Sequence, residues 1–253
     1  MADMLLIFLS GFCGGAITGF FGGSATLVVV PLLVTFGGYH PYAAIGLALS
    51  IDIFSSVSAF RIYNHRTSIH LKSALPLIAS AVIGVVTGSS ISVTFPEKIL
   101  AALVGAGVLL VSLRFLSASA NTGKPPAFLS KYGKHASIIW GVLSGLGLGI
   151  VGGGGGVVLL MGLTILLRYP LHEAVGVSVL GMTFIALVGA FSHYLLMPFS
   201  LLPAGIGAVG GISGAMISSR IANRTPEIKL NIIIGLFLAV LSLTLLTNTL
   251  FLM

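Results

Sequence analysis

Charge is what this sequence has least of. Only 7% of its 253 residues are Asp, Glu, Lys or Arg, against 57% that are hydrophobic, and the mean hydropathy is +1.15. A soluble domain carries about 25% charged residues. This chain cannot cover a water-facing surface and belongs in a bilayer. Cysteine is almost absent too: Cys13 stands alone, which excludes an intrachain disulfide and leaves it as a small packing residue in an apolar run. No His/Cys spacing points to a metal and no nucleophile–base pair is recognisable, so neither a metal, a cofactor nor an intramembrane enzyme is expected. MADMLLIFLSGF has no Lys or Arg before its apolar run. A cleavable secretory signal opens with a positive region, so the run reads as a permanent membrane segment. The net charge of +7 raises nucleic acid as a partner, but the placement of the charges assigns them to orientation in a membrane.

Apolar runs fall at 4–20, 24–36, 41–62, 72–92, 98–116, 136–151, 157–167, 172–195, 201–219 and 230–252. A helix needs about 20 residues to cross the hydrocarbon layer. The first, second, sixth and seventh runs fall short. They form two consecutive pairs, joined by Gly22-Gly23 and by Gly152 to Gly156, and read as broken or re-entrant helices. If each pair starts and finishes on one side and the N-terminus is outside, eleven of the twelve Lys and Arg residues lie inside; only Lys98, beside Glu97, does not. That matches the positive-inside rule. It leaves both termini outside.

The chain also repeats itself at an offset of 130 residues. Gly19-Phe-Phe-Gly22-Gly23 aligns with Gly149-Ile-Val-Gly152-Gly153, Ala44-Ile-Gly46 with Ala174-Val-Gly176, and Pro96-Glu97 with Pro226-Glu227. The expectation is an all-α polytopic membrane protein of two inverted-topology repeats, each a glycine-broken helix pair plus three transmembrane helices. The first repeat spans 1–116 and the second 136–253, with a polar cytoplasmic linker at 117–135. Together they make one membrane domain.

Backbone at membrane depth must be buried or line a wet cavity. A glycine turn there leaves helix N-termini, near Ser24 and Gly156, with unpaired N–H groups and about half a positive charge each. Two such ends could hold an anion without a basic side chain. On this reading Gly22, Gly23, Ser24, Thr26, Gly152, Gly153, Gly154, Gly155, Gly156 and Ser178 bind substrate, with Thr183 following. Close helix packing is the plain alternative for the glycines, and a dinucleotide fingerprint lacks the βαβ unit it needs.

Among polar residues, Asp52 lies mid-way along 41–62, far from either surface. Ionisable groups in a membrane are costly and are functional candidates by default. Ser55 and Ser56 share its helical face. Desolvation favours the neutral acid there, which suits a proton carrier; a structural, Ser-paired Asp is the alternative. Arg61 ends the same run as an inner gate or as a snorkelling anchor. Ser178 and Thr183 either bond anionic oxygens or bond their own helix backbone. His193 and Tyr194 are expected in an outer aromatic belt.

"GFFGGSATLVVVPLL" (19–33) and "GIVGGGGGVVLL" (149–160), followed by "AIG" and "AVGVS", resemble the sulfite exporter TauE/SafE family, as does "GGISGAMISSRIANRTPEIKLNIIIGLFLAVLSLTLL" (210–246). The resemblance implies an inner-membrane transporter with inverted repeats that moves small anions, typically sulfite, organosulfonates or related sulfur compounds. It places the Gly-Gly motifs at Gly22, Gly23, Gly152 and Gly153 and the motif proline at Pro31. The family's Gly-Thr-Ser after each break is replaced here by Gly46-Leu47-Ala48 and Gly176-Val177-Ser178, and Met161 stands where a second Pro31 would. The expected function is alternating-access transport, with a passive anion channel and a non-transporting scaffold as the competing classes. The expected partners are a small anionic substrate and the lipid bilayer, with no nucleic acid; a homodimer is left open.

Overall fold

The computed structural model describes residues 2–64, 71–117, 133–152, 155–222 and 227–251. Among them there is no strand. The first half holds α1 (Ala2–Phe21), α2 (Thr26–Gly37), α3 (Pro41–Asn64), α4 (Leu75–Ser92) and α5 (Glu97–Ser117). The second holds α6 (Gly133–Val151), α7 (Gly155–Met161, continued by a π-helical turn Gly162–Leu166), α8 (Leu171–Leu196), α9 (Leu201–Ala222) and α10 (Glu227–Phe251). Residues 118–132, most of the expected linker, lie outside the described residues.

Among the described residues, six helices are long and apolar enough to cross a membrane: α1, α3, α4, α5, α8 and α9. Their outward faces carry exposed leucine and isoleucine, such as Leu110 at 69%, as lipid contact requires. Two expectations need correcting. The run at 4–20 is not too short to cross: α1 has 20 residues and reaches about 30 Å at 1.5 Å per residue. Likewise α6 begins at Gly133 rather than 136. Each pair is therefore a long helix followed by a short one, since polar residues at the surface extend a helix beyond its apolar run.

The short members break their own regularity. Pro31 sits inside α2, where it removes a backbone donor. At the matching position, Met161, α7 passes into its π turn. Trp140 of α6 donates its indole N–H to Val158 O at 2.7 Å, satisfying a carbonyl just ahead of that turn. Both short helices then close alike. Gly38 at φ 63° and Arg168 at φ 58° adopt the left-handed conformation, and Tyr39 N–H and Tyr169 N–H reach Leu33 O and Leu163 O at 3.1 and 3.0 Å. Each bond spans six positions, one more than the 6→1 closure of a left-handed helix C-terminus. All three pairs differ by 130.

Packing follows the same offset. Gly11, Gly15 and Gly19 of α1 meet Gly207, Gly211 and Ala215 of α9, while Gly141, Gly145 and Gly149 of α6 meet Leu77, Ala81 and Val85 of α4. The first helix of each half thus lies on the fourth helix of the other, and runs parallel to it. Equivalent helices run antiparallel: Tyr42 of α3 stacks on His193 of α8 while Leu49 packs at Gly189. In the same sense, Gly105 of α5 meets Leu246 of α10 and Ser112 Oγ donates to Gly235 O. Association without a hydrophobic drive depends on such close backbone approach. Gly15→Ala, whose methyl would enter the backbone of Gly211, is expected to lower thermal stability in detergent by about 1–3 kcal/mol. Gly147→Ala, with nothing within 4 Å, is expected to leave it unchanged or raised.

Candidate functional site

The two glycine breaks meet. Gly22 at φ 65° and Gly152 at φ 68° turn the chain in a conformation only glycine adopts freely. Gly22 rests on Val175 and Ser178 of α8, and Gly152 on Ile45 of α3. Ile45 and Val175 are again 130 apart. A β-carbon at Gly156 would stand 2.7 Å from Ser24 N and 3.0 Å from Gly23 C, so the start of α7 lies directly against the first break. Ser178 ties the halves together by donating its hydroxyl to Gly22 O at 2.8 Å.

At this junction the N-terminus of α2 is already occupied by a carboxylate of the protein itself. Asp52 Oδ1 accepts Ala25 N–H at 3.1 Å and the Thr18 hydroxyl at 3.2 Å. Ser24 Oγ donates to Oδ2 in a short hydrogen bond. With its proton so engaged, Ser24 Oγ accepts from the Thr26 hydroxyl and from Thr26 N–H at 3.3 Å. Leu27 N–H and Val28 N–H turn to Ser24 O and Ala25 O. Thr18, Ser24, Thr26 and Asp52 are all fully buried. The unpaired donors expected at this end are therefore paired, because a buried N–H without a partner is costly and α3 delivers Asp52 to it. Thr18 has a second acceptor, Gly14 O at 3.3 Å, so its hydroxyl can turn away when Asp52 gains a proton.

The other predicted site residues divide. Ser56 is buried one turn beyond Asp52, on the same face of α3. Ser55 is buried but donates to Ile51 O at 3.0 Å, and Thr183 donates to Val179 O at 3.0 Å; both bond their own helices. Arg61 is exposed in the last turn of α3, roughly 13 Å along the axis from Asp52. Gly153 and Gly154 lie outside the described residues, whereas Gly155 and Gly156 are buried. His193 is not in an outer belt: it is fully buried, while Tyr194 is exposed.

Thr18 and the Ala25 amide were missed by sequence reasoning. The offset itself carried a further signal. Adding 130 to Thr18, Ser24, Thr26 and Asp52 gives Leu148, Gly154, Gly156 and Met182, so the hydrogen-bonding set belongs to the first half only.

The sulfite exporter TauE/SafE family model matches residues 7–245, which includes both breaks and Asp52. The chain belongs to the sulfite exporter TauE/SafE family. It is similar to the "Probable membrane transporter protein YdhB" of Bacillus subtilis (strain 168), 25% identical over 96% of this chain and all of that protein. A "Probable membrane transporter protein" of Xylella fastidiosa (strain Temecula1 / ATCC 700964) is 27% identical over 90% of this chain and 88% of its own length. No solved structure matches. This TauE/SafE protein is thus a multi-pass membrane transporter whose glycine signatures converge on one buried carboxylate.

Proposed function

We propose that this TauE/SafE protein is a secondary transporter of small anions, sulfite, organosulfonates or related sulfur compounds, in which Asp52 couples anion movement to a proton. The observation that carries this reading is the carboxylate of Asp52 seated at the N-terminus of α2. Such an end favours one negative charge. While Asp52 is ionised it fills that place. When it is protonated, its charge is gone, the Thr18 and Ser24 hydroxyls can turn, and the Ala25 and Thr26 amides become available to a substrate oxygen. Proton and anion then enter together, so the low-dielectric site never holds two negative charges at once. Gly156 and the second break border the same place without side chains.

Alternating access follows from treating the halves as inverted repeats. The exchanged packing of α1 on α9 and α6 on α4, with equivalent helices antiparallel, supports that view. In the membrane we place both termini outside and the Arg61 and Arg168 ends inside, in an inner membrane.

Proteoliposome flux tests the proposal. Sulfite is expected to accumulate against its own gradient when a pH gradient is imposed. Dissipation alone would identify a channel. Loss of all sulfite, sulfonate and sulfate flux, with no thermal stabilisation by any of them, would remove the transport reading, because a ligand of the folded state raises apparent stability.

A further inference from the structure

Arg168 is the only residue other than glycine with a positive φ among the described residues, at 58°. Its match in the first half, Gly38, makes the same turn at φ 63°, and a β-carbon there would meet nothing within 4 Å. One half thus places at this turn the residue that adopts it freely, and the other half an arginine. The left-handed conformation costs backbone energy in any residue with a β-carbon. Such outliers persist where the surrounding structure or the function holds them.

Arg168 lines a cleft of about 240 Å³ between the end of α7, the start of α8 and the turn before α4, together with Ser73, Leu167, Tyr169, Pro170 and Glu173. That is room for a sulfonate or phosphate group and several waters, at about 30 Å³ per water. Among the described residues the Arg168 guanidinium has no ion pair and no hydrogen bond. Glu173 stands on the same rim, in the first turn of α8, where the positive end of a helix compensates a carboxylate. Lys72, next to Ser73, is exposed and adds a second cation. Ser73 bonds to the Tyr169 hydroxyl, and burial pushes that phenol above its ordinary value, so it stays a neutral hydrogen-bond donor. A free guanidinium beside hydroxyl groups suits an oxyanion, because the planar fork meets two oxygens at once. A cation after the C-terminal end of α7 also complements the helix dipole, which is all that a structural arginine would do there.

We propose that this cleft is an oxyanion-binding site in which the Arg168 guanidinium holds a sulfonate or phosphate group. It is separate from the glycine breaks, with roughly 15 Å of α7 between Gly156 and the cleft, and it does not depend on proton movement at Asp52. Its guest is either a free anion of the kind proposed for transport or the phosphate of an anionic lipid headgroup. In the orientation proposed above, the cleft opens at the inner surface. The first half has no counterpart, because Gly38 brings no side chain and Ala43 stands where Glu173 would.

Chemical modification of arginine reads the site directly. The full-length protein in maltoside detergent, which carries no phosphate, is treated with phenylglyoxal, and the modified residues are located by mass spectrometry. Ethanesulfonate is expected to slow modification of Arg168 severalfold and to leave Arg61 and Arg114, both exposed, unchanged. That result identifies a free anion as the guest. Protection of Arg168 by added phosphatidylglycerol, and not by ethanesulfonate, identifies a lipid phosphate. No protection by either, or equal protection of all three arginines, overturns the proposal. Arg168→Gly separates binding from structure: with the left-handed turn relieved, it is expected to unfold at the wild-type temperature or above it. A lower unfolding temperature would make Arg168 a structural cap of α7 and overturn its reading as a ligand-binding residue. Absence of sulfite flux in vesicles would remove the transport reading and leave a protected Arg168 as an oxyanion site.

Discussion

Asp52→Asn is expected to abolish sulfite accumulation driven by a pH gradient while leaving sulfite exchange intact. The amide matches the carboxylate in shape, and its oxygen can still accept Ala25 N–H, bonded at 3.1 Å in the wild type. The Thr18 hydroxyl can turn to Gly14 O, and Ser24 Oγ can accept from the new N–H₂. The helix end thus stays closed to water. What disappears is the group that binds and releases a proton. One proton per anion allows accumulation of about tenfold per unit of pH gradient, because one unit equals 1.36 kcal/mol. The variant's ratio is expected to fall to one. The sign follows from charge: ionised Asp52 competes with the anion for the α2 terminus, so lowering pH on the loading side favours anion entry in the wild type. The neutral amide never competes, and the variant's exchange rate should be flat with pH. Tracer sulfite in vesicles with equal and unequal pH across the membrane gives both quantities. An Asp52→Asn protein that concentrates sulfite as the wild type does would make Asp52 a structural acid.

Gly156→Ala is expected to be the most damaging single methyl in the protein for transport. Its β-carbon would stand 2.7 Å from Ser24 N and 3.0 Å from Gly23 C. Both atoms are backbone, so no rotamer change relieves the clash. The two breaks must separate, and Ser24, which carries the hydrogen bonds to Asp52 and Thr26, moves with its amide. Overpacking of this kind costs about 1–3 kcal/mol, and a displacement of about 1 Å at a site costs on the order of 10²-fold in rate. Gly205→Ala is the matched control, with nothing within 4 Å of its added carbon. Thermal unfolding in detergent together with vesicle flux separates a folded but inactive protein from an unfolded one. Full activity in Gly156→Ala would show that contact between the breaks is not needed.

Membership of the bilayer, the helical runs and the offset of 130 were legible in the sequence because each depends on local composition. Lipid tolerates no unpaired backbone, so a run of apolar residues becomes a helix whatever surrounds it. The breaks were legible for the same reason: Gly22 and Gly152 occupy left-handed turns that other residues resist. The extent of α1 and α6 was not, since their first residues, Ala2 and Asp3 in α1 and Gly133 to His135 in α6, lie outside the apolar runs. Nor could sequence spacing show that Asp52 reaches Ala25 and Ser24, 27 and 28 positions away, or that His193 turns inward onto Tyr42. Those depend on which helices lie side by side. Tertiary packing alone decided that the first break carries its own counter-charge, because buried donors and acids must find each other once water is gone.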